Sequence, residues 1–141
     1  HSIGAEVILI KILTADYEKG NAIVEMLAVW NDILENDFRI LLENCLEPLM
    51  SAGVQRFVLI VENVLNIYLD GDDYYQQVTE ELEEGWLCLL RAREHVRREI
   101  DDLDLGQYFF WSDALDELHW RKLKPFQLYL MVQSKMLRLI G

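Results

Sequence analysis

With 141 residues, 52% of them hydrophobic and 27% charged, the chain has enough apolar surface to bury one core, which excludes a disordered chain. Its net charge of -12 is unevenly placed: residues 1–90 carry 4 basic and 17 acidic groups, residues 91–141 carry 9 and 8. The acidic half would repel a phosphate backbone, which argues against general nucleic-acid binding and makes a basic protein the easier partner to accept.

The opening stretch "AEVILIKIL", residues 5–13, reads as a helix or as an edge strand. A strand with no partner is unstable, so the helix is favoured. From Asn21 to Met50, Ile23, Leu27, Trp30, Leu34, Phe38, Leu41, Cys45 and Leu49 follow a helical period, with a kink marked by "ENDF". Pro48 disturbs the last turn, and Gly53 suits a left-handed cap. From Val54 to Tyr68, apolar residues at 54, 57, 58, 61, 64, 65 and 68 again give a helix face. The β-branched content suggests a strand, but Arg56 and Glu62 would share a face with Val58 and Ile60, which breaks the two-residue alternation.

From Asp72 or Asp73, either able to cap a helix N-terminus, Tyr75, Leu82, Leu89, Val96 and Leu103 recur every seventh position. That spacing predicts one long helix over 73–104, with Trp86 and Ile100 on the other side of the stripe. Gly85 would cost about 1 kcal/mol against alanine in such a helix, offset by close packing of another backbone. Ser112 is read as the N-cap of a short helix ending near Lys122, and Pro125 as opening a final helix that runs to Ile140. The expected architecture is all-α: a single-domain bundle of five or six helices spanning 1–141 around the long heptad-bearing helix.

Candidate sites fare poorly. An EF-hand placed on Asp70 sets Asp72 and Glu81 at liganding positions but puts Tyr75 where the loop needs glycine, so a helix break explains the residues better. Asp116-x-x-His119 approaches a bundle metal motif only once, and no second copy completes it. No nucleophile elbow or glycine-rich phosphate loop is present. Cys88 and His95 would lie roughly 10 Å apart along a helix, too far for a thiolate–imidazole pair. The arginines at 91, 93, 97 and 98 neutralise flanking acids. Cys45 and Cys88 form no C-x-x-C pair and are expected to be reduced, buried thiols. No cofactor, metal or catalytic residue is assigned.

Surplus apolar surface remains. It comprises the heptad seam (Tyr75, Leu82, Leu89, Val96, with Trp86 beside it), the aromatic run Tyr108, Phe109, Phe110 and Trp111, and Phe126 and Tyr129 on the last helix. These residues are expected to form an interface. The sequence therefore predicts a non-catalytic interaction module, with a homo-oligomer or another protein as partner. An acidic inhibitor or immunity-type protein blocking a basic nucleic-acid-binding site is the first alternative, and a metal-dependent helical-bundle enzyme the second. The longest apolar runs, such as "VILI" and "LYLMV", fall short of the ~20 residues of a membrane span, and no signal-peptide pattern is seen, so a cytoplasmic location is expected.

Overall fold

A computed structural model describes residues 8–28, 44–63, 73–82, 85–102 and 109–140. It overturns the all-α bundle. Four strands form one mixed sheet in the order β1-β2-β3-β4, with helices on both faces. Strands β1 (Ile8–Asp16) and β2 (Asn21–Ala28) make an antiparallel hairpin. Helical residues 44–51, here α1, lead into β3 (Arg56–Asn63), which lies parallel to β2. Helix α2 (Asp73–Glu81) connects β3 to β4 (Trp86–Leu90), again parallel. Helices α3 (Glu94–Asp102), α4 (Asp113–Asp116) and α5 (Pro125–Ile140) follow, with a 3-10 turn at Trp120–Lys122 before the last.

Strands β2, β3 and β4 are buried on both sides, as parallel strands with helical crossovers require, while Lys11 and Ile12 of the edge strand β1 are exposed. One face presents Ala22, Val24 and Met26, then Phe57, Leu59 and Val61, then Leu87 and Leu89, to α1, α2 and α3. The other presents Ile23, Val58, Ile60, Cys88 and Leu90 to Leu115, Leu118, Trp120 and α5. Both crossovers place their helices on the first face, as they must when the sheet advances in one direction with one hand.

The long helix predicted over 73–104 is three elements: α2, β4 and α3. Leu82, Leu89 and Val96 do point into one layer, but from a helix end, a strand and a second helix in turn, so their seven-residue spacing is no helical seam. The helices read over 5–13, 21–50 and 54–68 give way to β1, to β2 plus α1, and to β3. The "ENDF" kink, the Asp70–Asp72 loop and Leu103 lie outside the described residues. Gly53 does take a positive φ of 102°, just after α1, where the Gly53 N–H donates to Met50 O and the Val54 N–H to Leu49 O. Ser112 caps α4 by accepting from the Leu115 N–H at 3.1 Å, and Pro125 opens α5.

Candidate functional site

The two polar residues that broke the alternation of β3 mark the two ends of the second sheet face. Val58 and Ile60 are roofed by α5 and the segment before it, whereas Arg56 and Glu62, on the same side of the strand, emerge where that roof stops.

At the Glu62 end, the carboxyl ends of β3 and β4, where ligands commonly bind in parallel sheets, hold a cluster of charges. Arg91 follows β4 directly and takes the left-handed φ of 65°, an unfavourable conformation for a residue with a Cβ. It is held there on three sides. Its N–H donates to Asp116 Oδ1 at 2.7 Å, its Nε to Glu62 Oε2 at 2.9 Å, and its guanidinium also reaches Asp116 O. Arg121 pairs with Glu62 and stands 3.9 Å from Glu25, while Arg97 pairs with Asp116 and with Asp113 at 3.1 Å. Arg93 donates to Glu62 O at 2.8 Å. Burial would raise the Glu62 pKa, but the hydrogen bonds and charges of Arg121 and Arg91 outweigh it and hold the carboxyl below its ordinary value. The cavity here, about 270 Å³, is thus lined by groups already committed to one another. Its chemistry is that of a lock between β3, β4 and α4.

The Arg56 end is less settled. The hairpin loop turns at Asp16, whose Oδ1 accepts from the Lys19 N–H at 3.0 Å, and Gly20 O accepts from the Gln55 and Arg56 N–H groups. A cleft of about 400 Å³ opens between this loop and α5, lined by Thr14, Asp16, Lys19, Asn21, Arg56, Phe126, Tyr129, Leu130 and Gln133. Arg56 Nη1 donates to Lys19 O at 3.1 Å. Tyr129 stacks on Trp86, with ring centroids 6.0 Å apart and planes 10° from parallel. Its hydroxyl is buried, with Arg56 and Asn21 approaching the oxygen as donors but neither reaching full hydrogen-bond geometry. Burial raises the phenol pKa, with Arg56 pulling the other way.

The third feature is the outer side of α5. Leu128, Tyr129, Val132 and Met136 face the sheet, while Phe126, Leu130 and Leu137 are 61%, 49% and 64% exposed. Phe126, Leu130, Gln133 and Leu137 follow a 4-3-4 spacing, the period of a helix–helix seam.

The residues expected to form an interface are dispersed by the fold. Leu82, Leu89 and Val96 are buried in the first-face core. Trp86 is half-buried on the second face, and Tyr129 is buried beneath it. Tyr75 lies on α2, and Tyr108 lies outside the described residues. Phe109 and Trp111 pack against the first-face core, while Phe110 exchanges backbone hydrogen bonds of 2.8 Å with Leu87 and Leu89 and leaves its ring partly exposed. Residues 109–111 therefore form an extended segment beside β4, with Phe109 and Trp111 inward. Among the predicted residues whose side chains are described, Phe126 is the most open to solvent.

The bundle that the metal reading supposed is not the observed fold. Asp116 is bound by Arg91 and Arg97, and His119 is exposed. Among the described residues no group of three His, Cys, Asp or Glu side chains could hold a metal ion, and no helix is long and apolar enough to cross a membrane. Sequence reasoning missed the Glu62–Arg91–Asp116 lock and the Arg56 cleft. Arg56 and Glu62, an even number of residues apart on either side of an apolar row, were the signal available for both. No protein-family model and no curated protein matches this chain.

Proposed function

We propose that the protein is a non-catalytic interaction module that pairs with a second copy of itself through the outer side of α5. The observation that carries this reading is the seam Phe126, Leu130, Gln133 and Leu137, apolar at three of four positions, with those three open to solvent. The seam is self-complementary in an antiparallel pair. A two-fold axis between Gln133 and Ser134 sets Leu130 of one copy against Leu137 of the other and leaves the polar pair at the centre. Charge favours this contact over others. Pro125–Ile140 contains no acidic residue in a chain of net charge -12, so two copies repel one another least where these helices meet.

Light scattering after size exclusion, over a dilution series, tests the reading. The expected mass is twice 16.6 kDa, with Leu137→Glu weakening the dimer by about tenfold or more while leaving the fold intact, since Leu137 is exposed. A monomer at all concentrations overturns it, and so does a dimer indifferent to Leu137→Glu.

A further inference from the structure

Four observations meet at the cleft between the hairpin loop and α5, a cleft that shares Phe126, Leu130 and Gln133 with the proposed dimer seam. The first is size: about 400 Å³ falls within the range of small-molecule pockets. The second is the Tyr129 hydroxyl, on a residue only 6% exposed: Asn21 and Arg56 approach its oxygen as donors, and its own O–H has no acceptor in hydrogen-bond geometry among the described residues. A buried donor of this kind normally has an acceptor. The third is charge. Lys19 and Arg56 both line the cleft, and among the described residues neither forms an ion pair. The only acid present, Asp16, has Oδ1 turned to the Lys19 N–H. A net positive lining stands out in so acidic a chain. The fourth is the opposite wall, where Phe126 and Leu130 offer apolar surface.

We infer that this cleft binds a small organic carboxylate with an apolar body: the carboxylate is held by Arg56 and the Tyr129 hydroxyl, Lys19 adds charge at the mouth, and the apolar part lies along Phe126 and Leu130. A carboxylate accepts from a guanidinium and a phenol at once, which a neutral ligand cannot do with equal strength. A bare inorganic anion would leave the apolar wall unused.

Calorimetric titration of the whole chain with 3-phenylpropionate and with octanoate tests the inference, beside 3-phenylpropanamide and inorganic phosphate. The expected result is saturable binding of the two acids with Kd of about 0.1–1 mM, and at least about tenfold weaker binding of the amide and of phosphate. Tyr129→Phe removes one hydroxyl without opening a cavity and is expected to weaken acid binding about tenfold. Arg56→Met is expected to abolish binding, and Lys122→Met, away from the cleft, to leave it unchanged. Repeating the titration with Leu137→Glu separates the two proposals: with Phe126 and Leu130 released from the seam, the monomeric variant is expected to bind the acids at least as tightly as the parent. Absence of saturable acid binding overturns the inference. So does amide or phosphate bound within about twofold of the acids, or a Tyr129→Phe variant of unchanged affinity.

Discussion

Glu62 lies between two opposing influences, burial that favours its neutral form and the arginines at 91 and 121 that favour its charge, and the charge prevails. A carboxyl whose folded pKa lies below its unfolded value of about 4.5 adds stability above that pH and loses it as pH falls through the folded value. Glu62→Gln is therefore expected to cost about 1 kcal/mol near pH 7, a figure kept small because Arg91 and Arg121 are 38% and 57% exposed to screening solvent. Urea midpoints followed downward in pH are expected to converge for variant and parent only as pH falls through the lowered folded value. A gap that persists in acid would show that the glutamate acts by shape and not by charge. The thiols differ just as sharply. Burial pushes the Cys88 pKa up to about 12, whereas Cys45 is half-buried and both are free. A thiol reagent at pH 8 is expected to modify Cys45 while the chain is folded and to reach Cys88 only in denaturant.

Among the elements, Gly85 separates the two readings of the chain most clearly. In an exposed helix interior, Gly85→Ala would stabilise by about 1 kcal/mol. In this sheet a Cβ at Gly85 would stand 1.7 Å from Gln55 O, at the point where the Trp86 N–H donates to that same carbonyl and starts the β3–β4 ladder. The substitution is expected instead to destabilise by about 3 kcal/mol, and a thermal melt decides the sign. The helix starts and stops, Gly53, Ser112 and Pro125, were legible because each depends on a few neighbouring atoms. The strands were not, because a parallel strand covered on both faces is apolar at every position and carries no two-residue alternation to read. "WLCLL" at 86–90 and "FVLIV" at 57–61 are runs of that kind, short and bounded by charge, and their length was the better guide. The hairpin partner of "ILIKIL" is hidden for a related reason: β2 is buried on both faces, and its Ile23 and Leu27 also fit the helical period that continues through Trp30 and Leu34. As for the candidate sites, Arg56 was noticed as an exception to a pattern, but its neighbour Tyr129 is 73 positions away, and only the packing of α5 across β3 brings them together.

For the whole molecule, charge and contact give opposite expectations about salt, and that makes the proposed pairing testable in a second way. Two copies at -12 repel at long range, while an α5 seam is held by apolar contact. Added salt, which shortens the screening length to about 10 Å at 0.1 M, is then expected to tighten the dimer. An assembly steered by opposite charges, as for an acidic inhibitor on a basic site, would loosen instead. Sedimentation at low and moderate ionic strength distinguishes the two. The division of the helices between the faces of the sheet has a further consequence, in the order in which a ribosome delivers the chain. Each strand emerges beside a neighbour already made, and α1 and α2 cover the first face as the sheet grows. The second face waits. Ile23, Val58, Ile60, Cys88 and Leu90 are all synthesised before any residue of α4 or α5 exists to roof them. A nascent chain that has cleared the ribosome only as far as residue 105 would present a greasy, half-covered sheet to every chaperone in reach, until the segment carrying α4 and α5 completes it.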